Sequence, residues 1–89
     1  MIETGTGATM EITRQVRDFI TSNFYVSNPT SLDENASLLE QGVIDSTGIL
    51  EVIGFIEDTF QIEVTDSEMV PDNLDSIARI VRFVRSKQN

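Results

Sequence analysis

The sequence predicts an all-α protein, a small four-helix bundle of three longer helices and one short helix. A long ordered loop is expected between the first two helices. Two observations lead to this fold class. Three segments carry apolar residues at the 3.6-residue spacing of a buried helix face, and a short polar side chain suited to N-capping precedes each of them. With 89 residues and 39% hydrophobic content, one domain with a modest core is expected.

The first helix is predicted to begin near Thr9, which suits an N-cap, and to run to about Asn23. Residues 1–9, which include Gly5 and Gly7, are expected to form a flexible tail. Pro29 ends any helix in its neighbourhood. The core-facing stripe of this helix consists of Ile12, Val16, Phe19 and Ile20.

The connection that follows is about twenty residues long, which is unusual in a small domain unless the loop is ordered. Four apolar side chains could anchor it on a core: Leu32, Leu38, Leu39 and Val43. Ser37 and Glu40 have the spacing of a capping box, and Gly42 lies where a single helical turn would need a left-handed residue. We therefore expect a leucine-anchored, ordered loop.

The second helix is predicted to run from Ser46 to about Phe60, with Asp45 as its N-cap. Ile44 and Ile49 have the spacing of a hydrophobic staple across this start. Gly54, inside the helix, costs about 1 kcal/mol relative to alanine and is either a tolerated defect or a point of close approach. The core stripe consists of Ile49, Val52, Ile53, Ile56 and Phe60.

The rest of the chain predicts a short third helix and a longer fourth one. Thr65 and Glu68 have capping-box spacing, and Pro71 limits that third helix to one or two turns. Asp72 or Asn73 is expected to cap the fourth helix, and residues 87–89 are expected to fray. The core stripe of this helix consists of Leu74, Ile77, Ile80, Val81 and Val84.

Composition excludes several classes of function. The chain has no cysteine and no histidine, so it offers no Ser-His or Cys-His catalytic pair and no thiolate metal site. No acidic cluster has the spacing of a calcium loop, and no metal site is predicted. No apolar run reaches the length of a membrane span, and the N-terminus does not resemble a signal peptide, so a cytoplasmic location is expected.

The net charge of −9 is unevenly distributed, because residues 18–77 contain no lysine or arginine. Such a surface disfavours nucleic acid and anionic membranes and favours basic protein partners. The alternative is that acidity only confers solubility. The basic residues lie near the two ends of the chain: Arg14, Arg17, Arg79, Arg82, Arg85 and Lys87.

The start of the second helix is the candidate site. If Asp45 caps the helix, the hydroxyl of Ser46 is not needed by the backbone. A spare hydroxyl at a helix N-terminus is well placed to carry a phosphate, because the unpaired N–H groups there favour anions. The alternative is that the Asp-Ser pair is simply a capped helix start.

Three segments together resemble the acyl carrier protein family: residues 38–46, the helix from Ile49 to Phe60, and residues 73–77. The resemblance covers residues 10–86, the predicted carrier domain, and the matching site residues are Gly42, Asp45 and Ser46. It implies 4′-phosphopantetheine attached covalently to Ser46, whose terminal thiol would hold an acyl or aminoacyl group as a thioester. The carrier itself would not be an enzyme.

Partner enzymes of the family imply a docking face on the second helix. Its arc opposite the core stripe carries Thr47, Leu50, Glu51, Gly54, Glu57 and Asp58. The expected partners are a phosphopantetheinyl transferase, a loading ligase for acyl or aminoacyl groups, and acyl-transfer or synthase enzymes with basic patches. The carrier is expected to be a monomer.

The resemblance leaves the pathway open. The methionine start and short flanks favour a free-standing protein over an excised synthase module, whether the native start is Met1 or Met10. The function expected first is an acyl carrier of fatty-acid or specialised lipid or polyketide biosynthesis. An aminoacyl or peptidyl carrier is the alternative, and an unmodified acidic adaptor is another. Many relatives have leucine after the serine, where this chain has Thr47 and then Gly48. This difference concerns which partner enzymes would accept the chain and leaves the attachment chemistry unchanged. A serine hydrolase is excluded because a base and a nucleophile elbow are both missing.

Overall fold

The computed structural model describes residues 5–26 and 32–88, with side chains from residue 9 onwards. It contains four α-helices: α1 (Gly5–Asn23), α2 (Ser46–Phe60), α3 (Pro71–Leu74) and α4 (Ile77–Gln88). Within these ranges, one 3₁₀ turn lies at Asp66–Glu68. No β-strand occurs in these two described ranges, and the predicted all-α bundle of three longer helices and one short helix is confirmed.

The predicted start of α1 was wrong. The helix begins at Gly5, so residues 5–9 are helical rather than part of a tail. Thr9 lies inside the helix and does not cap it, and its carbonyl oxygen accepts the Thr13 hydroxyl at 2.9 Å. Each glycine disfavours a helix by only about 1 kcal/mol relative to alanine, and the stable helix that follows can offset this cost. Residues 1–4 and the predicted break at Pro29 lie outside the described residues.

The core is built from the predicted faces of α1, α2 and α4, with the first loop closing one end. Fifteen hydrophobic side chains are buried, among them Ile20, Ile56 and Ile80 at 0% exposure. Two aromatic residues that the spacing did not select also join the core. Phe83 is buried, and Phe55 stacks on Phe19 with ring centroids 4.2 Å apart, which joins α2 to α1.

The fourth helix begins later than predicted. Asp72 and Asn73 belong to α3, where Pro71 is the first residue, and α4 starts at Ile77. Its first turn is capped instead by Ser76, a buried residue whose hydroxyl accepts the Arg79 N–H at 3.1 Å. The chain bends at residues 75 and 76 because both side chains there are committed to contacts outside α3.

The last helix extends into the segment that was predicted to fray. Residue 87 was expected to fray, but α4 continues to Gln88. The Lys87 ammonium donates to both carboxylate oxygens of Glu68, at 2.9 and 3.0 Å. Glu68 also forms the predicted capping box with Thr65, although this box starts a 3₁₀ turn rather than an α-helix.

The described part of the long first loop, residues 32–45, is held by long-range contacts, as its leucines predict. Leu38 is fully buried, and Leu32, Leu39 and Val43 pack against the core. The Leu38 N–H donates to the carbonyl oxygen of Asp75 at 2.7 Å. The Asp75 carboxylate accepts the Leu39 N–H at 2.9 Å and the Ser37 hydroxyl at 2.6 Å. One residue at the bend before α4 therefore holds the whole central part of the loop.

Candidate functional site at the start of α2

Asp45 caps α2 as predicted. Its backbone is extended, with φ −125° and ψ −170°, and its Oδ1 accepts the Gly48 N–H at 2.8 Å. Its carbonyl oxygen accepts the Ile49 N–H at 3.0 Å, which is the first helical hydrogen bond. One of the donors left unpaired at a helix start is thereby satisfied by the carboxylate.

Ser46 is the first residue of α2 and is exposed. Within the described part of the chain, its hydroxyl makes no hydrogen bond, because the cap is supplied by Asp45. The remaining N–H groups of the first turn and the helix dipole favour an anion at this end. The arrangement fits a phosphate ester on Ser46, because the hydroxyl oxygen is accessible. Esterifying this hydroxyl would break no hydrogen bond and would leave no buried polar group unpaired.

The loop residues before the cap fix the direction in which the backbone enters α2. The N–H groups of Val43 and Ile44 both point at the carbonyl oxygen of Leu38, at 2.9 and 3.3 Å. Gly42 has a φ of +73°, the left-handed conformation predicted for it. Ile44 is buried at 4% exposure and directly precedes Asp45. The chain therefore enters α2 from the core, and Ser46 emerges from a fixed direction.

Gly48 leaves little room for a side chain beneath the site, a feature that sequence reasoning missed. It is buried, and a Cβ atom there would lie 3.0 Å from Phe24 Cε1 and 3.2 Å from Ile44 Cβ. The Phe24 ring thus packs directly on the backbone of the first turn. A glycine in the first turn of an otherwise good helix was the available signal.

The arc of α2 that was predicted to meet partner enzymes does face outward. Thr47, Glu51 and Asp58 are exposed, and the Leu50 side chain is 61% exposed. Gly54 is exposed and has no atom within 4 Å of where its Cβ would lie, so nothing within the described chain demands a glycine there.

Glu57 differs from the other residues of this arc. It is half-buried, and its Oε2 accepts the Val64 N–H at 2.9 Å. This carboxylate therefore already holds the segment after α2 in place. A role of Glu57 in binding partners remains a prediction, as it does for the other five residues of the arc.

No helix in the described ranges combines the length and the apolar character needed to cross a membrane. Among the same residues, no three acidic side chains come together in a way that could hold a metal ion.

Comparisons with known proteins match the geometry at the start of α2. Residues 10–84 match the family model described as the phosphopantetheine attachment site. This chain is similar to the proteins named D-alanyl carrier protein from Streptococcus pyogenes serotype M5 (strain Manfredo), serotype M49 (strain NZ131) and serotype M1. Each is 38% identical over 58 residues, which cover 65% of this chain and 71% of the relative. The chain belongs to the family of phosphopantetheine-binding carrier proteins, whose cofactor is covalently attached 4′-phosphopantetheine.

Proposed function

We propose that Ser46 is the attachment point of 4′-phosphopantetheine and that this chain carries an aminoacyl group. The observation that supports the attachment point is the exposed Ser46 hydroxyl beside the capping Asp45 carboxylate. The chain belongs to the phosphopantetheine-binding family. Among the serines in residues 5–26 and 32–88, Ser46 is the one that directly follows an N-cap residue and begins an α-helix with its hydroxyl left over by the cap.

The protein residues at the site have separate tasks in this proposal. Asp45 satisfies the first turn, so that esterifying Ser46 does not uncap α2. The N-terminus of α2 offsets the negative charge of the phosphate. Gly48 lets the Phe24 ring pack against the first turn. When bound, the arm supplies a terminal thiol that holds the cargo as a thioester.

The cargo is proposed from the relatives. Their printed name, D-alanyl carrier protein, describes an aminoacyl group, which favours the aminoacyl alternative over a fatty-acid or polyketide acyl group. Loading is assigned to a separate ligase and attachment to a separate transferase, because the chain has no histidine or cysteine with which to catalyse either step itself. The predicted cytoplasmic location and monomeric state remain predictions.

Attachment is tested by incubating the purified protein with coenzyme A, magnesium and a broad-specificity transferase and then measuring its intact mass. One phosphopantetheine should be added to the native chain and none to Ser46→Ala. Ser67→Ala, at another exposed serine, is the matched control and should be modified fully. An unmodified native chain would instead support the acidic adaptor, and modification of Ser46→Ala would place the arm elsewhere.

The cargo is tested separately on the modified protein. Loading trials with amino-acid-activating ligases and with fatty-acyl ligases should yield an aminoacyl mass shift only. Exclusive loading with fatty acids would refute the aminoacyl cargo and favour a fatty-acyl carrier, and it would leave the proposed attachment site unchanged.

The exposed arc of α2 is proposed as the docking face for these enzymes. Carboxylates on a small, transient interface mainly steer a basic partner, so they change the association rate and its salt dependence. Glu51→Lys should slow the modification of Ser46, and added salt should reduce the difference. Glu63→Lys makes the same charge change at an exposed position outside α2. Equal slowing by both variants would reduce the effect to net charge and refute the docking face.

A further inference from the structure

Four of the six basic residues of this acidic chain line one groove between α1 and α4. Two adjoining surface cavities of about 430 and 410 Å³ share Thr9, Thr13 and Glu34. The first is also lined by Arg14 and Arg17 of α1, and the second by Arg82 and Arg85 of α4. We call this surface the arginine groove.

The two arginines contributed by α1 are already engaged. Arg14 pairs with Glu11 and, at 3.4 Å, with Asp18. Arg17 donates to the carbonyl oxygen of Leu32 at 2.8 Å and lies 3.6 Å from the Glu34 carboxylate. These contacts hold that wall of the groove in place and neutralise much of its charge.

The two arginines contributed by α4 are different. Among the residues that the structure describes, no carboxylate oxygen lies within 4.0 Å of the guanidinium group of Arg82 or of Arg85. The other basic residues of α4 lie outside the groove and are paired, Arg79 with Asp72 and Lys87 with Glu68. The groove therefore concentrates the cations that remain for binding a partner.

An apolar side chain adjoins these charges. Met10 lines the α1 cavity and is 66% exposed, although it precedes the buried Ile12 by only two residues. Ala78 and Val81 lie along the α4 side of the groove. The recess therefore offers two kinds of contact to a peptide segment. The exposed methionine and the apolar walls can pack against its side chains, and the unpaired guanidinium groups can bind its negative charges.

The groove is also distinct from the proposed docking arc of α2. α2 packs on the other side of α1, through the stack of Phe55 on Phe19. Thr9, Thr13 and Arg17 face α4 and the first loop instead. A partner in the groove would leave Ser46 and the exposed arc of α2 uncovered.

We propose that the arginine groove binds an acidic segment of a partner protein. The charges of Arg82 and Arg85 complement such a segment, whereas the outer arc of α2 complements basic partners. An anionic membrane fits less well, because its flat surface cannot enter a recess and would meet Glu34, Glu11 and Asp18 beside it. The groove would let one partner hold the carrier while another acts on Ser46.

The test is a titration of the ¹⁵N-labelled protein with an unlabelled ten-residue polyglutamate peptide at low salt, followed by NMR. Saturable amide shifts are expected at Thr13, Ala78 and Arg82, and no such shifts are expected at Thr47 or Glu51. Arg82→Gln/Arg85→Gln should weaken binding by up to about tenfold, as expected for the loss of two exposed charge pairs.

Arg79→Gln/Lys87→Gln is the matched control, because it removes two charges from the same helix outside the groove. It should weaken binding by less than about twofold, the residual effect of net charge screened over ~10 Å. Equal weakening by the two double variants would overturn the proposal, as would the absence of saturable shifts in the native protein. Binding to phosphatidylglycerol vesicles without binding to the peptide would replace the acidic segment with a membrane.

Discussion

The two ends of α2 are held by different physics. At its start, the chain is fixed by close packing and by hydrogen bonds to one partly buried carboxylate: Leu38 is fully buried, Phe24 lies on Gly48, and Asp75 holds the loop. After its end, residues 61–70 contribute one buried side chain, Val64, and are also held by side-chain carboxylates nearer the surface. Glu57 accepts the Val64 N–H, and Glu68 accepts from Lys87.

This difference follows the chemistry of the site. Packed atoms resist displacement strongly, because a gap or an overlap of a fraction of an ångström costs contact energy at once. Exposed ion pairs contribute little and respond to salt and pH. Ser46 lies at the packed end, where close packing holds the backbone that carries it. We expect the ion pair after α2 to respond more strongly to salt and pH than this end does.

The largest effect is expected from Leu38→Ala. Removing a fully buried leucine from the packed end should lower the free energy of unfolding by about 3 kcal/mol, from lost transfer energy and the cavity left behind. Leu39→Ala, in the same loop but only half-buried, should cost about 1 kcal/mol. Urea denaturation measures both. Similar losses for the two variants would mean that the loop is not fixed by core packing.

Asp75→Asn should have the next largest effect. The Asp75 carboxylate accepts two hydrogen bonds from the loop, and an amide can accept only through its single oxygen. The loss should be about 2 kcal/mol, with faster hydrogen exchange at the Leu39 amide. Asp72→Asn is the control, since its side chain is 94% exposed and should matter by less than about 0.5 kcal/mol. Unchanged exchange at Leu39 would contradict the assigned role of Asp75.

The two glycines of α2 should respond to alanine with opposite signs. Gly54→Ala gains helix propensity without a clash and should stabilise the protein by about 0.5–1 kcal/mol. Gly48→Ala gains the same propensity but forces Phe24 away, so that a net loss of about 1 kcal/mol is expected. Thermal unfolding followed by circular dichroism measures both variants. Stabilisation by Gly48→Ala would show that the Phe24 ring yields freely.

The smallest effect is expected from Lys87→Gln. Lys87 lies on α4 and donates to Glu68, which belongs to the segment after α2. Hydrogen bonds from the Thr65 N–H and from Lys87 lower the pKa of Glu68 below its ordinary value of 4.5. Because the pKa of Glu68 is lower in the folded state, its ionised carboxylate stabilises the fold at pH values above the ordinary pKa. This stabilisation is lost as the pH falls through the lowered pKa. The stability difference between the native chain and Lys87→Gln should therefore be full at neutral pH and vanish in acid.

Arg85→Gln is the control for that measurement, because no described carboxylate lies within 4.0 Å of Arg85. Denaturation midpoints at several pH values and at low and high salt distinguish the two variants. A pH-independent difference for Lys87→Gln would mean that its alkyl chain matters and its charge does not.

Much of the fold could be predicted because it rests on contacts within four residues along the chain. The apolar stripes, the Asp45 cap and the left-handed Gly42 all follow from helix geometry and backbone sterics, which a local segment carries with it. The candidate site follows in the same way, since a capping aspartate directly before Ser46 leaves the serine hydroxyl over. The start of α1 was missed because glycines weaken a helix only slightly.

The sequence by itself determined the four-helix bundle, the capped start of α2 and the spare hydroxyl of Ser46. Only the tertiary structure decided what lies far apart along the chain. It brought Phe24 onto Gly48, tied Asp75 to the loop 36 residues earlier, and moved the start of α4 to Ile77. It also divided the arginines of α4 between ion pairs and the groove. Such contacts depend on which helix faces meet, and a periodic pattern specifies a buried face without specifying its partner.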